Sequence, residues 1–188
     1  MHYVVCDGGA AAMAGLPGVQ PLADSEAVVM EGPWPFARTA LGYVANTSGF
    51  DVGTAAKRTL NGYAVQGMAE PGSGNAFAIA AHKMLDVEGF RPYAETIPGF
   101  LEQFGVRSLA RGGRVTPLGG AFAPERAVVL EFPSVEAAIA FYTSDAYAPL
   151  LALRLRTTDP RFIIMSRAGS ITVSARDAAN AYLRIRAS

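Results

Sequence analysis

Two short apolar runs repeat one pattern along this chain. Ala27-Val28-Val29-Met30-Glu31-Gly32-Pro33 is echoed 100 positions later by Ala127-Val128-Val129-Leu130-Glu131-Phe132-Pro133. Each is a β-branched or aliphatic stretch with a glutamate near its end and a closing proline, the pattern of a buried strand entering a turn. Ahead of the first copy, His2 to Cys6 predicts a strand that stops at Asp7-Gly8-Gly9. Residues 10–24, rich in Ala, Gly and Pro, predict an irregular connection with a frayed strand. Phe36 to Ala45 carries Leu41 and Val44 at helical spacing and predicts a helix. A second short helix is expected from Asp51 to Leu60, followed by a strand from Tyr63 to Met68. Ala69-Glu70-Pro71-Gly72-Ser73-Gly74-Asn75 has nothing apolar to bury and predicts a linker.

The alternation is clearer beyond it. Ala76 to Met84 reads as a strand with small residues on one face and Phe77 and Ile79 on the other. Asp86 is a natural N-cap for a helix carrying Phe90, Ile97, Leu101 and Phe104, with Gly105 as its stop and Pro98 expected to kink or split it. Val106 to Arg111 predicts a strand, Gly112-Gly113 a turn or bulge, and Arg114 to Leu118 its continuation. Arg126 to Phe132 is the next strand. Ser134 caps a helix to Tyr142, Ser144-Asp145 opens another to Leu155, and Arg161 to Arg167 is the last strand. The order is βαββαβ, the ferredoxin-like pattern. In the tail, Ile171-Thr172-Val173 suits a short strand and Ser174 a helix N-cap, with Asp177 at its third position.

The likeness between the halves extends to Asp7-Gly8-Gly9 and Arg111-Gly112-Gly113. On that alignment residues 1–70 correspond to the unit's last four elements and lack its first strand and helix. The tail has that missing order. Two readings follow: residues 170–188 fold back to complete a circularly permuted first unit, or the tail is an added helix. The expected fold class is α+β, with two ferredoxin-like units (1–70, completed by 170–188, and 76–168) within one chain.

Composition narrows the function classes. The chain has 188 residues, 51% of them hydrophobic and 17% charged, enough to bury a core. Its 16 basic and 16 acidic residues cancel, which leaves no broad basic field for nucleic acid or for an anionic membrane surface. Cys6 is the single cysteine, so no internal disulfide forms. The N-terminus lacks the basic start of a signal peptide, and no apolar stretch is long enough to span a bilayer. These features lead us to expect a cytoplasmic protein without nucleic-acid or membrane partners, either a monomer or a homodimer.

Residues 76–168 resemble the DUF1330 family. The resemblance rests on Asp86, Tyr93, Phe104-Gly105, Leu109 to Gly113, Val128 to Pro133, Tyr142, Ser144 to Tyr147 and Arg154. It implies the dimeric α+β barrel superfamily, in which two ferredoxin-like units pack sheet against sheet around a small lumen. That superfamily includes cofactor-free monooxygenases, haem-handling enzymes, small isomerases and ligand-binding proteins, so the fold does not decide function.

Candidate chemistry is sparse. If Phe77 and Ile79 face the helices, then Ala78, Ala80, His82 and Met84 face the lumen. His82 is then the leading acid–base candidate, against the plainer role of a histidine at a strand end. Glu131, sharing a face with Val129, would point the same way, and Glu31 holds the equivalent place in the first copy. Two such carboxylates raise each other's pKa if close and dry; otherwise each is solvated or paired with arginine. Arg111 suits a grip on an anionic group, while Arg154 suits a structural ion pair. The tyrosines at 93, 142 and 147 suit packing with bonded hydroxyls. No phosphate loop, zinc-spaced cluster or Gly-x-Ser-x-Gly elbow is present, so neither a cofactor nor a metal is expected, a haem on His82 being a weaker alternative. Two functions are expected: binding of a small, mostly apolar molecule in the lumen, with Arg111, Glu31 and Met84 around it, or cofactor-independent catalysis by His82 and Glu131.

Overall fold

The computed structural model describes residues 1–45 and 60–187, with side chains to Arg184. The fold is mixed α+β, with two antiparallel five-stranded sheets and, among the described residues, five helices. In chain order the elements begin β1 (His2–Asp7), α1 (Gly9–Met13), β2 (Gln20–Ser25), β3 (Val28–Glu31), β4 (Thr39–Val44) and β5 (Gly62–Gln66). They continue with β6 (Ala76–Met84), α2 (Val87–Gln103), β7 (Arg107–Arg111), β8 (Val115–Gly119) and β9 (Arg126–Phe132). The last are α3 (Val135–Tyr142), α4 (Ala148–Thr157), β10 (Thr158–Ser166) and α5 (Val173–Ala187).

The first sheet runs β2-β4-β1-β5-β8 and the second β3-β10-β6-β9-β7. Each takes one edge strand from the other half of the chain. β3 leaves the N-terminal half to pair with β10, and β8 leaves the C-terminal half to pair with β5. The second crossing is made at Gly112-Gly113. Gly112 has a positive φ of 73°, which favours glycine. A Cβ on Gly113 would strike the carbonyl oxygen of Gln66, and the amide of Gln66 donates to the carbonyl of Arg114 at 2.9 Å.

Several sequence expectations need correction. The first sheet already has its central strand, because β1 pairs with both β4 and β5. Ile171 and Thr172 lie in no strand, and α5 packs on α3 and β3 instead. The tail therefore does not complete a permuted first unit. Its cap is Thr172, whose hydroxyl accepts from the amide of Ala175, rather than Ser174. The segment expected to be a helix at 36–45 holds β4. Leu41 and Tyr43 enter one core and Ala40 and Val44 another, and a strand buried on both faces has the same continuous apolar run as a buried helix. Residues 9–13 and 20–25 form α1 and β2, and 115–119 form a strand of the other sheet rather than a continuation of β7. The helix expected at 51–60 falls almost wholly on 46–59, outside the described residues. In the second half, Asp86 accepts from the amide of Gly89 at 2.9 Å, Gly105 ends α2 at φ 64°, and the helix continues through Pro92 and Pro98 without splitting.

The largest correction concerns the faces of the second sheet. Phe77, Ile79 and Ala81 point between the two sheets, where they pack with Tyr3, Val5, Leu41, Tyr63 and Val129. Ala76, Ala78 and Ala80 lie under the helices. The reason is volume. The helices bring their own bulk in Phe90, Tyr93, Ile97, Phe141 and Tyr142, so the strand beneath them must be small, whereas among the described residues no helix side chain enters the space between the sheets, which strand side chains and Phe36 fill. Phe77 and Ile79 are wholly buried, a gain of about 1.5–3 kcal/mol each. The space between the sheets is therefore a packed core rather than a lumen for a ligand.

Candidate functional site

The open volume lies on the helix face of the second sheet. The alanines of β6 leave depth there, and α2 roofs it with Phe90, Tyr93 and Ile97, one apolar stripe at helical spacing. A cavity of about 180 Å³ results, floored by Ala80, His82, Val128 and Leu130 and closed by Tyr142, Tyr147 and Arg154 from α3, its following turn and α4. Arg111, Gly112 and Arg126 stand at its rim.

The polar groups of this cavity are unusual in being left over. Arg154 is 1% exposed. Its Nη2 donates to both oxygens of Glu31, at 2.7 and 2.8 Å. Among the described residues its Nε and Nη1 have no partner, and neither do Nδ1 of His82 and Nε of Arg111. Arg111 and Arg126 pair with no carboxylate there, although Arg126 lies over the ring of Phe90 at 5.1 Å. Three guanidinium groups thus line the cavity, and among the described residues no carboxylate does, Glu31 reaching it only through Arg154. The hydroxyls of Tyr93 and Tyr147 lie 3.1 Å apart. Burial pushes the pKa values of Tyr93 and Tyr142 upward, so both remain protonated donors near neutrality.

His82 is 3% exposed. Burial first, and then the charges of Arg154 and Arg126, hold its pKa well below 6.5, so it is a neutral imidazole. Since the folded pKa is depressed, the unfolded chain takes up the proton first as pH falls. Stability from this group is complete above pH 6.5 and falls below it by up to about 1.4 kcal/mol per pH unit. Denaturation curves of the wild type and His82→Gln from pH 7 to 5 are expected to converge as pH falls, because the variant lacks this loss.

The structure brings together only part of the set expected from sequence. His82 and Arg111 line the cavity, and Glu31 reaches its wall through Arg154. Met84 does not line it and is half-buried against the helix-side core. Glu131 lies on the opposite face of the sheet from His82 and five residue pairs along it, opposite Phe77 where His82 is opposite Arg126. It accepts from the amides of Gly72 and Gly74 at 2.8 and 3.0 Å and from Arg167 at 2.8 Å. It therefore fastens the 69–75 linker to the sheet, and His82 and Glu131 cannot act as an acid–base pair. Glu31 and Glu131 do not meet either, since β10 and β6 separate β3 from β9. The structural ion pair expected of Arg154 is present, but its unpaired nitrogens make it a site residue too. The signal was an arginine set between Leu153 and Leu155. Arg126 had no such mark. Among the described residues no group of three or more His, Cys, Asp or Glu is arranged to hold a metal, and no helix is long and apolar enough to cross a membrane.

A family model described as a domain of unknown function, DUF1330, matches residues 75–168, the segment that contributes every residue of this cavity. No curated protein matches the chain.

Proposed function

Because the chain belongs to the DUF1330 family through residues 75–168, and that segment lines the cavity, we propose that the protein binds a small organic molecule between α2, α3, α4 and the second sheet. The observation that carries this reading is a roughly 180 Å³ space with buried polar nitrogens that no described residue satisfies. Buried unpaired donors are costly, about 1–3 kcal/mol each, and a bound molecule is the natural way to meet that cost. The site differs from the expected lumen, which side chains fill.

The same proposal includes the architecture. The strand orders support two ferredoxin-like units, one over 1–66 and one over 76–168, packed sheet to sheet as a pseudo-dimer within one chain. Without the borrowed edges, β5-β1-β4-β2 and β10-β6-β9-β7 have one order.

The test fills the cavity. Ala94 is half-buried on α2 and lines the space, so Ala94→Phe adds a ring there at modest cost to folding. Ring-sized organic compounds are expected to raise the melting temperature of the wild type and leave that of the filled variant unchanged. Saturating ligand at about 100 times Kd contributes about 2.7 kcal/mol, a readily measured shift. Equal shifts in both proteins, or none in the wild type, would exclude the reading. A second reading rests on His82. A neutral imidazole is the form a general base requires, and turnover of the bound molecule would use it without Glu131.

A further inference from the structure

The charge balance around the cavity goes further than the presence of a ligand. Arg111, Arg126 and Arg154 contribute three positive charges to the lining, which includes no carboxylate among the described residues; Glu31 pairs with Arg154 from behind that wall. Both oxygens of Glu31 accept from Nη2 of Arg154. The remaining Nε and Nη1 of that side chain, and Nε of Arg111, are buried donors with no acceptor among the described residues. Groups of this kind recognise an anion, and guanidinium suits a planar carboxylate.

The rest of the wall sets the remainder of the molecule. Phe90, Ile97, Leu101, Val128, Leu130 and Phe141 offer only apolar or aromatic contact. A space of about 180 Å³ compares with the roughly 150 Å³ apolar cavity that admits benzene. An inorganic anion would satisfy the arginines and leave those walls uncovered. A neutral hydrocarbon would cover the walls and leave the arginines unmet.

Resting on the reading of the cavity as a binding site, we infer that its ligand is a monocarboxylic acid with a body about the size of one six-membered ring, its carboxylate lying among Arg154, Arg111 and Arg126. Nδ1 of His82 adds one further polar contact, as donor or acceptor according to its tautomer. Tyr93 and Tyr142, held protonated by burial, present further hydroxyls at the same wall.

Calorimetric titration of the full chain tests this with benzoate, phenylacetate and cyclohexanecarboxylate against benzamide, benzyl alcohol and inorganic phosphate. At least one of the acids is expected to bind roughly ten-fold or more tightly than benzamide and benzyl alcohol, since a charged hydrogen bond contributes about 1.5–3 kcal/mol and 1.4 kcal/mol is ten-fold. Arg111→Gln is a half-exposed rim change chosen to leave the fold intact, and it should shrink the acid-to-amide ratio by about the same factor, by loss of a charged contact. If benzamide or benzyl alcohol binds as well as the acids, the carboxylate inference falls and the cavity reading stands. If phosphate binds and the ring compounds do not, the site is an anion site without an organic body, and the inference falls. If none of the six binds and Ala94→Phe also leaves every melting shift unchanged, both fall.

Discussion

Replacing Glu31 with alanine is expected to destabilise the protein by about 3–5 kcal/mol, the cost of breaking a buried ion pair from one side. The pair spans the two halves of the chain: Glu31 ends β3, the strand lent to the second sheet, and Arg154 lies on α4. Both side chains are almost wholly buried, at 3% and 1% exposure. Removing the carboxylate leaves Arg154 charged and without its acceptor, and a guanidinium cannot shed its proton to escape. Arg154→Ala should cost a comparable amount, because the buried carboxylate of Glu31 loses its counter-charge. The double change Glu31→Leu with Arg154→Met removes both charges and should recover most of the loss, because a buried pair is worth little against apolar residues of similar volume. Urea denaturation of the three variants gives the comparison. Single changes that each cost less than about 1 kcal/mol would show a pair as weak as a surface one.

The second large effect is expected at Phe77. Phe77→Ala should cost about 3–5 kcal/mol, the range for emptying a buried aromatic site. The ring is fully buried between the sheets, and the guanidinium of Arg167 lies 4.8 Å from its centre. That arginine donates to Glu131 and to the carbonyls of Gly72 and Gly74, so the void also loosens the fastening of the linker. A companion change separates a packed interior from an open one. Ala81 is wholly buried in the same cluster, and Ala81→Leu should cost about 1–3 kcal/mol by overpacking. An open lumen would accept the added methyl groups without loss, and that result would restore the space between the sheets as a ligand site.

The contrast between Phe77 and Ala78 also shows how far this chain can be read without its structure. Alternation along β6 divided the two sets of side chains correctly, because period two is a property of the strand itself. It did not say which set faced which layer. Both layers are dry, so hydrophobicity could not choose between them. The choice depended on the volume that the opposing elements supply, which is a tertiary quantity. The positions of the strands from 76 onward were legible for the same local reason, though not the sheet that 115–119 joins, and so were the caps at Asp86 and Ser134, whose side chains accept from the amides of Gly89 and Ala137. The central place of β1 was not legible, because strand order lies in pairing between distant segments. Nor was the site fully so. His82 and Arg111 stood out as residue types, but the arginines at 126 and 154 join them through the approach of β9 and α4, which no spacing in the sequence records.

The exchange of edge strands also bears on how the chain is held as one object. β3 and β8 act as a reciprocal clasp, each half completing the other's sheet through backbone hydrogen bonds. Sliding one sheet off the other breaks both edges together, so separation of the halves is opposed by two ladders as well as by the core. A cut within residues 70–74 would leave the covalent chain in two pieces that still grip each other, and a split protein reassembled from them would regain its cavity without a peptide bond at the linker.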